Sequence, residues 1–148
     1  MRELAEELGA GSVREVSVAS ASSLPDESAD LVVGCWSVFR GPEAPERAEA
    51  ERILRPGGRL VVVHDYGRDE VARLLPADRP EVGAWSHWKG PFLAGGFRVR
   101  VIHTRWVFET APACRDFLVE LVGTDGAAQV PARAHLTYNV ALYHRSVG

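Results

Sequence analysis

Apolar residues along this chain come in compact runs separated by charged stretches of helical spacing. The runs DLVVGCWSVF at 30–39 and RLVVVHDY at 59–66 are nearly continuous, as expected of strands covered on both faces. Between them, RGPEAPERAEAERILRPGG at 40–58 predicts a helix entered through Pro42 and Pro45. It buries Ala50, Ile53 and Leu54, and Pro56-Gly57-Gly58 stops it. Upstream, residues 2–9 set Leu4, Ala5 and Leu8 among Arg2, Glu3, Glu6 and Glu7, a short amphipathic helix ended by Gly9 and Gly11. REVSVA at 14–19 alternates Val16 and Val18 with polar residues and predicts a strand. SASSLPDESAD at 20–30 is polar and small, and Pro25 makes it a loop.

Downstream, Val71, Leu74 and Leu75 predict a short helix that Pro76 ends, and residues 76–96 carry no period and read as a long loop. FRVRVIHTRWVF at 97–108 is a long strand whose apolar parity switches near Val101 and Ile102, which predicts a bulge or a strong twist. PACRDFLVELVG at 112–123 places Cys114, Phe117, Leu118 and Leu121 on one helix face. HLTYNVALYHR at 135–145 alternates Leu136, Tyr138, Val140 and Leu142 as a closing strand. Buried runs alternating with helices predict an α/β fold. The expected architecture is a mostly parallel, Rossmann-like sheet of about five strands with helices on both faces and an antiparallel C-terminal strand, in a single domain over 1–148.

Composition narrows the partners. A net charge of −3 gives no electrostatic footprint for nucleic acid. No segment approaches the about 18 to 20 apolar residues of a membrane span. The charged start MRELAEELGAG lacks the apolar core of a signal peptide, so a cytoplasmic protein is expected. The two cysteines, Cys35 and Cys114, make no disulfide framework, and Cys35, inside an apolar run, reads as a small core residue. The five histidines have no metal spacing, so no zinc site is expected.

The segments SLPDESADLVVGCWSVF and ERILRPGGRLVVVHD together resemble the second half of a class I S-adenosylmethionine-dependent methyltransferase, of the type 11 kind. The resemblance rests on Leu24-Pro25, on Asp30-Leu31-Val32-Val33, and on Leu54-Arg55-Pro56-Gly57-Gly58 leading into the next strand. It implies that the last two strands form the family's final antiparallel pair. It also implies an N-terminally truncated domain. The family's first strand ends in a glycine-rich turn that lets the backbone approach the cofactor, and its second ends in an acid that binds the ribose hydroxyls, by the logic of dinucleotide folds. Neither motif is present here. Gly9-Ala10-Gly11 follows a helix and reads as its cap. Where many relatives carry an acid facing the adenine amine, this sequence has Ser20 and Ala21, and a serine hydroxyl accepts more weakly than a carboxylate.

Two readings follow from that resemblance. One is a methyltransferase-like protein that is non-catalytic alone, binds no cofactor as this chain, and is a homodimer through its N-terminal sheet edge. The other is a small-molecule methyltransferase, using S-adenosylmethionine, completed by a partner chain or a further N-terminal segment. Losing two strands beside 30–38 exposes a hydrophobic edge that must be covered. One solution slides the strand at 14–19 beside 30–38, although residues 20–29 are slightly short for a parallel crossover, which takes about a dozen. The other is a homodimer, since segment exchange is a low-cost route to one.

Ligands in open α/β sheets sit beyond the carboxyl ends of the strands. The residues there are Trp36 and Ser37 after one run and His64, Asp65 and Tyr66 after the next. His64 and Asp65 are the candidate general bases; Ser20, Ala21, Trp36, Ser37 and Tyr66 are the candidate cofactor contacts. The alternatives are structural: Asp65 or Asp69 capping the helix that follows, and His64 as a satisfied strand-end residue. In WSHWKGPF at 85–92, Trp85, His87, Trp88 and Lys89 make either a lid over a small acceptor or a packed aromatic pair.

Overall fold

The computed structural model of the chain describes residues 11, 21–36, 45–75 and 84–148. In chain order the elements are β1 (Ala29–Cys35), α1 (Pro45–Ile53), β2 (Leu54–Asp65), α2 (Glu70–Leu74), α3 (Pro91–Ala94), β3 (Arg98–Val107), α4 (Ala111–Ala128) and β4 (His135–Ser146). Among the described residues the sheet has four strands, ordered β1-β2-β4-β3. The helix expected at 2–9 and the fifth strand expected at 14–19 lie outside the described residues, as does Pro42.

β1 and β2 run parallel, with Leu31 beside Arg59 and Cys35 beside Val63. α1 carries the crossover between them. Its Ala50 and Ile53 are buried, as is Leu54 at the start of β2. Gly57, at φ 79°, turns the chain in the left-handed region that glycine adopts without strain. β4 pairs antiparallel with β2 on one side and β3 on the other. It therefore lies inside the sheet and does not close it; β3 is the edge. The register of β3 on β4 is unbroken from Arg98–His144 to Val107–His135, so no bulge produces the parity switch.

Two cores explain the switch. On one face, α1 and residues 85–97 cover Leu60, Val62, Ala141 and Tyr143. Phe92 stacks on Tyr143 with ring centroids 4.2 Å apart. On the opposite face, at the other end of β3 and β4, α2 and α4 cover Leu136, Tyr138 and Trp106. Phe97 and Val99 at the start of β3 thus serve one core, and Trp106 and Phe108 at its end serve the other. β4 behaves alike, so its buried positions are Leu136, then Asn139, Ala141 and Tyr143, rather than a single parity through Leu142.

Three further expectations change. Residues 91–94, read as loop, form one helical turn that seats Phe92 in the core. β1 is not covered on both faces: Leu31 is 53% and Val33 41% exposed. Cys35 is likewise exposed instead of a core residue. Leu31, Val33 and Cys35 lie on the face where α2 and α4 reach only the far end of the sheet.

Candidate functional site

β1 and β2 end side by side, and their last residues bring Trp36 and Asp65 together. Trp36 has a positive φ of 44°, uncommon for a bulky residue, and its backbone N–H still donates to the Val63 carbonyl at 2.9 Å. That conformation lays the indole across the strand ends, where Nε1–H donates to Asp65 Oδ1 at 2.7 Å. The Tyr138 hydroxyl, from the neighbouring β4, donates to the same oxygen. Burial, and then the Asp65 carboxylate that accepts its proton, push the Tyr138 phenol above the ordinary tyrosine value. The half-buried carboxylate is thereby fixed by an indole and a phenol.

The chain leaves β2 through Tyr66, whose N–H donates to the Asn139 carbonyl at 2.9 Å. Gly67 and Arg68, at φ 74° and 58°, turn it into α2. The Arg68 guanidinium lies 5.6 Å from the Tyr66 ring centroid. Asp69 caps the helix: one carboxylate oxygen accepts from Ala72 N–H at 2.8 Å and the other from Asn139 N–H at 2.7 Å. Of the two aspartates considered for the cap, Asp69 fills that role and Asp65 serves the strand-end cluster.

His64 and Asp65 are adjacent and therefore face opposite sides of the sheet. His64 is buried, with its ring centroid 4.4 Å from Trp85 and 6.0 Å from Phe92. The structure thus does not bring the two candidate bases together. Ala21 lies by the amino ends of β1 and β2, its carbonyl 3.4 Å from Arg52 Nη2. It is at the opposite end of the sheet from Trp36. Ser20 and Ser37 lie outside the described residues. Trp85 is a core residue, whereas Trp88 is 68% exposed with the Lys89 ammonium 4.6 Å from its ring.

Tyr138 is the member of the cluster that sequence reasoning missed. In the sequence it belongs to the alternating apolar stripe of 136–142, and its partner lies 73 residues away. A phenol on a strand beside one that ends in aspartate was the available signal, because a buried tyrosine hydroxyl usually finds an acceptor. Chemically, the cluster holds a carboxylate with a defined orientation where a ligand of an open sheet would sit.

No protein-family model matches the chain. A phosphatidylethanolamine N-methyltransferase from Cereibacter sphaeroides is 41% identical over 73 residues, which are 47% of this chain and 36% of that protein. The match therefore spans about a third of the relative's length. Among solved structures, a chain described as a methyltransferase from Bacillus halodurans is 14% identical, covering 98% of this chain and 76% of its own, with a TM-score of 0.46. A chain described as a type II methyltransferase from Anaeromyxobacter dehalogenans is 19% identical, covering 92% and 74%, with a TM-score of 0.47. The chain resembles the class I methyltransferases in its motifs, and its α/β sheet has helices on both faces.

Proposed function

We propose that this methyltransferase-like chain is not a catalyst on its own and works as a homodimer joined along the N-terminal edge of its sheet. The observation that carries the reading is β1. It is the strand whose sequence demands burial, yet β2 is its only sheet neighbour among the described residues, and its Leu31 and Val33 stand in solvent. A hydrophobic strand with an open row of backbone donors and acceptors is a template for another strand. The two free cysteines, exposed Cys35 and buried Cys114, suit a reducing, cytoplasmic setting.

The donor set does not fit S-adenosylmethionine. A ribose diol is held best by a carboxylate with both oxygens free, one for each hydroxyl. At these strand ends the carboxylate is Asp65, whose Oδ1 already accepts from Trp36 and Tyr138. The sequence adds no glycine-rich turn to let a backbone approach the ligand. Calorimetric titration of the purified chain with S-adenosylmethionine and S-adenosylhomocysteine tests this. No saturable heat up to millimolar ligand is expected; saturation at micromolar ligand overturns it.

A second reading is favoured by the Trp36–Asp65–Tyr138 cluster itself. It stands where an acceptor would be held if another chain or segment supplied the cofactor half, and the curated relative's name suggests transfer to an amine nitrogen. In that setting Asp65 would accept the proton of the attacking group and Tyr138 would keep the carboxylate oriented. His64, on the opposite face, would take no part. Methyl transfer to an amine by a reconstituted complex, lost in Asp65→Asn, would favour this reading over the first.

A further inference from the structure

Among the described residues, one region of the sheet has no cover. On the face carrying α2 and α4, those helices sit over Leu136, Tyr138 and Trp106 only. The other half of that face, spanning all four strands, shows Leu31, Val33, Cys35 and Ile102 exposed, with Val61 and Leu142 half-buried between them. Arg59, Arg98 and Arg100 project from the same face, all exposed and without an ion-pair partner among the described residues. The patch is thus apolar and basic. A second copy of the same face would set arginine against arginine, which disfavours a face-to-face pair.

We infer that this patch receives residues 2–9 of a second copy of the chain. The inference rests on the dimer proposed above and names its surface. In sequence those residues supply Leu4, Ala5 and Leu8 with Glu3, Glu6 and Glu7, an apolar stripe with the complementary charge. They precede 14–19, the segment expected along the edge of β1, by a link that reaches about 14 Å when extended. A segment so tethered would fall on the sheet beside β1. There the opposite face is already filled by α1 and residues 85–97.

The second copy follows from chain geometry. Ala21 sits at the amino end of β1, held beside Arg52. A strand ending at residue 19 and parallel to β1 would finish at the far end, about 20 Å on. Two residues reach about 7 Å, so one chain cannot make that pairing with itself. Exchange between copies removes the constraint.

Sedimentation of the full-length chain over a concentration series tests the proposal, comparing wild type with Arg59→Glu/Arg98→Glu, with Glu3→Arg/Glu6→Arg, and with all four changes together. Each double variant is expected to weaken dimerisation on the order of ten-fold, and the fourfold exchange to restore it. Circular dichroism identical to wild type shows that the fold survives, since both arginines are exposed. A dimer of unchanged affinity in both double variants overturns this surface and leaves the dimer standing. A wild-type monomer at every concentration overturns both.

Discussion

β1 and β2 are neighbours with nearly the same apolar text, DLVVGC and RLVVVHD, and opposite fates. In β2, Leu60 and Val62 are 0% exposed and Val63 8%. In β1, Leu31 and Val33 are largely open to solvent. The difference lies in what surrounds them. β2 has β1 on one side and β4 on the other, with α1 and the Phe92–Tyr143 stack above it. An apolar run records the burial a strand requires; neighbours decide whether it is met.

The largest effect separates the two strands directly. Leu60→Ala leaves a cavity in the core and is expected to cost about 2–5 kcal/mol. Leu31→Ala, measured on dilute protein, is expected to stay within about 0.5 kcal/mol. Urea unfolding of both variants measures the contrast. An equal loss at the two positions would mean that Leu31 is packed in solution, and the comparison would fail.

The strands also differ in how they end. β2 hands over to α2 through Asp69, which caps the helix with one oxygen and holds Asn139 N–H with the other. Losing a cap costs about 1 kcal/mol. Stranding a buried amide adds about 1–3 kcal/mol. Asp69→Ala is therefore expected to lower stability by about 2–4 kcal/mol, read by thermal unfolding. Asp69→Asn, which keeps an acceptor oxygen, should recover part of the loss.

How much of this was legible beforehand depends on range. The buried β2 run, the helix at 70–74 and the α4 face through Cys114 and Leu118 are local patterns, and they read correctly. By contrast, α1 already ends at Ile53, so Leu54 and Pro56-Gly57-Gly58 fall inside β2 instead of ending the helix. The place of β4 inside the sheet was not legible, because pairing order is not encoded in a single strand's alternation. Parity alone points to a bulge or a strong twist near Val101. The actual cause, two cores on opposite faces, needs the packing of α1, α2 and α4 to be known. At the site, Asp65 and Trp36 were found by their positions at strand ends, while Tyr138 required knowing that β4 lies beside β2.

A smaller effect is carried by pH. Glu70 accepts from the Thr137 backbone N–H at 2.8 Å and pairs with Arg133. The hydrogen bond from Thr137, its first cause, holds the Glu70 carboxyl below its ordinary value of 4.5. A carboxyl depressed in the folded state adds stability that is present above the unfolded value and lost as pH falls through the folded one. Stability should thus decline below pH 4.5, and Glu70→Gln, weaker by about 1 kcal/mol at neutral pH, should flatten that part of the profile. Unfolding free energies of the two proteins between neutral and acidic pH measure the slope. Parallel profiles would remove Glu70 as the source.

The gentlest probe perturbs no contact and returns to the comparison between strands. Cys35 is exposed on β1, on the same open face as Leu31 and Val33, whereas Cys114 is 1% exposed beneath α4. A thiol reagent applied to dilute native protein should modify one cysteine per chain quickly and the second only on unfolding, because reaction requires access to the sulfur. Raising the protein concentration brings copies together. If the open face is then covered, Cys35 should slow with the same concentration dependence as dimer formation, while Cys114 stays protected throughout. Rapid modification of Cys35 at concentrations where sedimentation finds only dimer would place the interface elsewhere on the molecule. In that event the exposure of β1 would persist in the assembly, and its apolar sequence would need another partner.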